Sequence, residues 1–184
     1  MKMAIKILLI LFPICFAVLS AQTVMDSDRA QYEGKTHTYE FRAPEGWILD
    51  IENAYRDGFT AAMCPEDEFY GNARTAIFVW VYLLDSTTFG EFISADSGFY
   101  ANGTDKIEFI RSDTIYNSDS ARTVIFETAD PGVTYKIATV AYIDVGTEVV
   151  IYELDIDSRE LYAEGESKFR EALYNFRYIE AAKF

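Results

Sequence analysis

A chain of 184 residues, 50% hydrophobic and 16% aromatic, holds one domain with a substantial core and is too apolar for extensive disorder. Thirty acidic residues against sixteen basic ones give a formal net charge of −14. That charge excludes nucleic acid and anionic membrane surfaces as natural partners and favours basic proteins or cations.

The N-terminus reads as a signal peptide over 1–21. Lys2 and Lys6 precede an apolar run over 7–19, and Ser20 and Ala21 offer a small-residue exit. The run is shorter than the roughly 20 residues a membrane helix needs, and it contains Pro13. No stable membrane span is therefore expected after cleavage. Cys15 follows Phe12, Pro13 and Ile14, not the small residues that precede a lipidated cysteine. The expected location is periplasmic or secreted. Cleavage leaves Cys64 as the one thiol, which cannot close an intramolecular disulfide.

Residues 22–36 are polar and without period, a lead-in to a single domain over 37–184. A strand is expected over 38–42. Ala43-Pro44-Glu45-Gly46 then turns the chain, because proline fixes φ and glycine tolerates positive φ. Trp47 opens an apolar restart over 47–51. Asp57-Gly58 turns into a strand over 59–63, followed by a polar connection over 65–72. Residues 75–84 form the most apolar run, without alternation, and belong in the middle of a sheet covered on both faces.

Phe89, Phe92, Ile93, Asp96, Phe99 and Tyr100 recur at helical spacing, so a helix spans 87–101 and stops at Asn102-Gly103. Strands over 106–116, 122–128, 133–143 and 147–154 follow, joined by short turns that enforce antiparallel neighbours. One face is expected to collect Val124, Phe126, Val150, Tyr152 and Leu154, and the other Thr123, Ile125, Val149 and Ile151. Neither face is polar, so both need covering layers. Ser158 is expected to cap a helix over 159–176, with Leu161, Phe169, Ala172, Leu173 and Phe176 as its apolar stripe. Glu164 with Lys168 and Glu166 with Arg170 would pair along it, and Gly165 is its weak point.

This order of elements, with Tyr39-Glu40-Phe41 leading into Pro44-Glu45-Gly46-Trp47 and a late Phe169–Leu173–Phe176 helix, resembles the Mog1/PsbP-like family. The resemblance covers about residues 37–180. It implies an α+β fold: an antiparallel sheet of six or more strands flanked by helices in an α/β/α sandwich. It also implies a binding or assembly module, and it carries over no catalytic residue, because the family shares no catalytic site.

The residues themselves offer little for catalysis. His37 is the one histidine, no Gly-x-Ser-x-Gly elbow accompanies a serine, and nothing beside Cys64 would lower its pKa. His37 reads as a surface residue at the domain edge. Phosphate-binding glycine loops are absent. Asp155-Ile156-Asp157 fails as an EF-hand loop, since Arg159 and Glu160 stand where a ligand and a glycine are required. Glu66, Asp67 and Glu68 are the remaining metal candidates, with Ca2+ the cation they suit; otherwise no cofactor is implied. Trp47, Trp80, Tyr82 and Tyr100 are candidates for a binding surface.

The reading that follows is an exported, non-catalytic module that binds another envelope or secreted protein. A carboxylate-dependent hydrolase and a barrel-like small-ligand binder are the alternatives. A carboxylate of raised pKa in a concave pocket would mark the first, and an internal cavity the second.

Overall fold

Two sheets share the chain, which crosses from the small one to the large one at the Ala43–Gly46 corner and returns through its last helix. The computed structural model describes residues 25–26, 28–103, 107–113, 121–128 and 136–180, with side chains over 28–96 and 138–178. The signal-peptide segment, two of the meander turns and the Tyr100 side chain lie outside the described residues.

In chain order the strands are β1 (Met25–Asp26), β2 (Arg29–Glu33), β3 (His37–Arg42), β4 (Trp47–Asp50), β5 (Ala61–Pro65), β6 (Thr75–Leu83), β7 (Ile107–Asp113), β8 (Ala121–Thr128), β9 (Lys136–Asp144), β10 (Glu148–Ile156) and β11 (Arg177–Glu180). The helices are α1 (Glu52–Arg56), α2 (Phe89–Gly103) and α3 (Tyr162–Asn175), the last preceded by a 3-10 turn over Arg159–Leu161. The large sheet runs β4-β5-β6-β10-β9-β8-β7, and the small one β1-β2-β3-β11. Every pairing in both is antiparallel.

The α+β, antiparallel expectation therefore holds, with one addition. β3 does not begin the large sheet; it lies in the small one between β2 and β11. The stretch read as a lead-in supplies β2, whose Ala30 and Tyr32 stand opposite Phe41 and Tyr39 of β3. Alternation in so short a polar segment was too weak to read, and its partner strands supply the missing support. The corner behaves as its sequence demands: Gly46 takes φ 75°, and the Trp47 amide donates to the Pro44 carbonyl at 3.0 Å.

One face of the large sheet carries Leu49, Met63, Ile77, Val79, Ile143, Val150, Tyr152 and Leu154, all buried. The small sheet and α3 cover this face. Tyr39, Phe41, Tyr152 and Phe176 meet at its centre, with Phe41 and Phe176 ring centroids 6.2 Å apart and Tyr152 edge-on to both. Each such buried side chain contributes about 1.5–3 kcal/mol of burial, and aromatic contacts of this geometry add about 1 kcal/mol. The opposite face carries Ala62 and Cys64, which cluster with Ala54 of α1, and Val140, Tyr142, Val149 and Ile151, which cluster with Ile93 of α2. The Tyr142 hydroxyl donates to Asp96 at 2.7 Å and ties α2 to β9.

The central position of β6, between β5 and β10, matches its unbroken apolar run. Helix α1 was not legible as a helix. Asp50 creates it locally, accepting the Asn53 amide at 2.9 Å and the Asn53 side chain at 2.7 Å. The expected grouping of the meander is one residue out of step, since the register sets Val124 opposite Val140 and Thr123 opposite Ala141. Ser158 heads the 3-10 turn without capping it, and its buried Oγ has no partner among the described residues. Glu166 and Arg170 pair at 3.3 Å as expected, but Lys168 turns to Glu171 at 3.5 Å in place of Glu164.

The large sheet pairs β4 and β7 on one side each, so the described strands do not close into a barrel. This removes the barrel-like alternative as an architecture.

Candidate functional site

Three places gather chemistry-bearing side chains: a buried carboxylate cluster, an acid-rimmed groove and an aromatic strip. The cluster centres on Glu148, which begins β10 and is 3% exposed. It accepts the Lys35 amide at 2.9 Å, the Thr36 amide at 3.2 Å, the Thr36 hydroxyl at 2.6 Å and the Tyr39 hydroxyl at 2.8 Å. Burial alone would raise this carboxyl, but the bonds from Thr36, Tyr39 and Lys35 outweigh it and hold it below its ordinary value. Burial, followed by the bond to Glu148, pushes the Tyr39 phenol far above its own ordinary value.

His37 belongs to this cluster, not to open surface. Its Nδ1 lies 2.8 Å from the Thr36 hydroxyl and 3.5 Å from Glu148, and its ring stands edge-on to Tyr178. A hydroxyl, an imidazole and a carboxylate in contact invite comparison with a catalytic triad. The geometry does not relay a proton, however. A triad uses both ring nitrogens, one toward the nucleophile and one toward the acid. Here Thr36 and Glu148 face the same nitrogen, and Thr36 donates to Glu148 directly. The cluster is a clasp that fastens the β2–β3 hairpin of the small sheet to the head of β10 in the large one. Its trace in the sequence is a lone glutamate at the head of an apolar strand, a signal that passes unnoticed without the partner hairpin.

The groove lies where the corner, the loop after β5 and the start of α3 converge. It encloses about 540 Å3, with Trp47, Pro65, Leu161 and Thr75 among its walls and Glu66, Asp67, Glu68 and Glu164 around it. The structure thus brings the metal candidates and one surface candidate, Trp47, into one concavity. Trp47 is only 7% exposed and belongs mainly to the core. Glu68 accepts the Arg74 amide at 3.0 Å. Among the described residues no three histidine, cysteine, aspartate or glutamate side chains converge to hold a metal ion, so Glu66, Asp67 and Glu68 do not form a ready cation cage.

Cys64 sits on the opposite face of β5, buried, with its thiol 3.6 Å from the Glu68 carbonyl. Burial, then the charges of Asp50 and Glu68, push it up to about 11. Little thiolate exists near neutrality, so the residue is a poor nucleophile.

The aromatic strip follows from strand alternation. Phe78, Trp80 and Tyr82 point from β6 toward the face that α1 and α2 cover. Phe78 belongs to the α1 cluster and Trp80 to the α2 cluster, so the strip runs across the seam between them. Phe59 stacks on Phe78 at 4.5 Å and meets Trp80 edge-on at 5.0 Å. Tyr82 is 44% exposed and leans on Phe92 of α2. Trp80 and Tyr82 are therefore brought together, away from Trp47. Phe59 joins them, a residue the sequence presented only as part of a strand.

No family model and no curated protein matches the chain. Solved structures do match. Cyanobacterial PsbP (CyanoP) from Synechocystis is similar at 16% identity and a TM-score of 0.50, over 84% of this chain and 94% of that one. A mutant of the protein Mog1 is similar at 18% identity and a TM-score of 0.50, over 83% of this chain and 96% of that one. The Saccharomyces cerevisiae Ran-binding protein Mog1p has 17% identity and a TM-score of 0.49, over 83% and 96%. The chain has a Mog1/PsbP-like fold.

Proposed function

We infer that the protein is a non-catalytic binding or assembly module that works outside the cytoplasm and meets a protein partner on the strip of Phe59, Trp80 and Tyr82. The observation that carries this reading is the strip itself. Phe59, Phe78 and Trp80 lie in mutual ring contact, and Tyr82, two residues further along β6 and leaning on Phe92, is 44% exposed. Tryptophan and tyrosine with part of their surface in water are the residues most enriched at protein interfaces. Large rings at a seam between helical layers lose hydration when a partner covers them, and little side-chain entropy opposes that gain. Export is supported by the basic start, apolar run and small-residue exit over 1–21.

The test compares the mature protein with Trp80→Ala and Tyr82→Ala variants as baits in an extract of the producing cell's envelope. One protein captured saturably by the wild type and lost from both variants, with unchanged far-ultraviolet circular dichroism and matched melting curves, supports the reading. Equal capture by all three, or turnover of a substrate by the wild type, overturns it.

A further inference from the structure

The acid-rimmed groove opens on the α3 side of the large sheet, because Trp47 and Pro65 stand opposite each other on that side, whereas the aromatic strip lies on the other face. It is therefore a second surface, able to act whether or not the strip is occupied. Its volume of about 540 Å3 suits a few residues of extended chain better than a single ion. Trp47, Pro65 and Leu161 supply apolar walls. Glu66, Asp67 and Glu164 stand exposed around them.

Two cations share the lining. Lys168 is drawn off, donating to the Glu45 carbonyl at 2.7 Å and lying 3.5 Å from Glu171. Arg74 stands at the loop side, and its amide is held by Glu68. The acids outnumber these two, since Glu45 and Glu68 also line the groove.

We propose that this groove docks an extended, lysine- or arginine-bearing segment of a protein partner. The apolar stem lies along Trp47, Pro65 and Leu161, and the cationic head lies among Glu66, Asp67 and Glu164. Lysine and arginine have an apolar stem and a charged tip, the same pairing of surfaces the groove presents. A divalent cation would need several oxygens converging at about 2.3–2.6 Å, which the described residues do not provide. An anionic ligand would meet both the rim and a net charge of −14.

The test is fluorescence anisotropy with a labelled short peptide of alternating arginine and alanine, a glutamate–alanine peptide as its counterpart, and spermine as competitor. Saturable one-to-one binding of the arginine peptide alone is expected. Glu66→Gln with Asp67→Asn should weaken it about five-fold, and Glu164→Gln, from a different element, should weaken it independently. Glu33→Gln with Glu52→Gln, an equal charge change on exposed residues outside the groove, should leave it unchanged. Equal weakening by that control pair, displacement by spermine at the peptide's own concentration, or no saturable binding overturns the proposal. All substituted positions are exposed, and matched melting curves confirm that the variants fold. The strip variants Trp80→Ala and Tyr82→Ala should bind the peptide like wild type, so the two surfaces stand or fall separately.

Discussion

Glu148 shows how a single buried charge is made tolerable. Four hydrogen bonds converge on it, two from backbone amides and two from hydroxyls. Charge-assisted bonds are worth about twice neutral ones. Glu148→Gln keeps the shape but places an amide donor among donors, and should cost about 2–3 kcal/mol at neutral pH by urea denaturation. The sign of the pH dependence follows from the lowered carboxyl. Its contribution is fully present above the ordinary glutamate value of 4.5 and is lost as pH falls through the lower folded value. The stability gap between wild type and variant should therefore hold from neutrality to about pH 5 and close in stronger acid; a gap unchanged at pH 3 would refute the account. Trp47 is the other residue on which much rests. With 7% exposure inside the main core, Trp47→Ala should cost about 3–5 kcal/mol in the same measurement. The tryptophan was legible from its corner, whereas the clasp was not, since its donors lie more than a hundred residues from Glu148.

At the scale of elements, α3 illustrates the difference between local propensity and packing. Gly165 looks like a flaw in a helix, and alanine there would gain about 1 kcal/mol of propensity. In the structure a Cβ at this position would stand 2.8 Å from Ile156 Cδ1 and 3.1 Å from Thr75 Cγ2. Ile156 is fully buried and Thr75 nearly so, and β-branched side chains have few rotamers to retreat into. The missing side chain lets α3 lie close on β6 and β10. Gly165→Ala should destabilise the protein by about 1 kcal/mol net, overpacking exceeding the helix gain; a stabilised variant in chemical denaturation would show that the helix moves freely. Local pattern revealed α2 and α3 through their helical spacing and β6 through its unbroken apolar run, because each carries enough apolar residues to declare itself. It missed α1, which is five residues long and exists through Asp50. It also missed β2, which depends on pairing with β3. The groove was half visible as an acidic run, but its other wall comes from α3, and no local pattern links the two.

For the whole molecule, the charge of −14 is spread over a surface on which many carboxylates stand exposed. Self-repulsion of this kind weakens the compact state and is screened by salt. The melting temperature should rise as sodium chloride goes from about 20 mM to about 300 mM, while the Glu148→Gln difference, set by buried contacts, should stay nearly constant. A melting temperature that falls with salt would mean that attractive pairs dominate the surface. The overall class was readable because two apolar sheet faces demand covering layers; the division into two sheets was not, since β3 and β11 find each other only through the folded chain. That pairing carries a consequence for the order of assembly. Arg177 to Glu180 complete the ladder on β3, which was made far earlier along the chain. A polypeptide emerging N-terminus first must therefore hold β3 with one edge unsatisfied until its final strand arrives. During that interval the exposed edge is open to wrong partners, and the charges of Arg29, Glu40 and Arg42 on the hairpin work against such pairing.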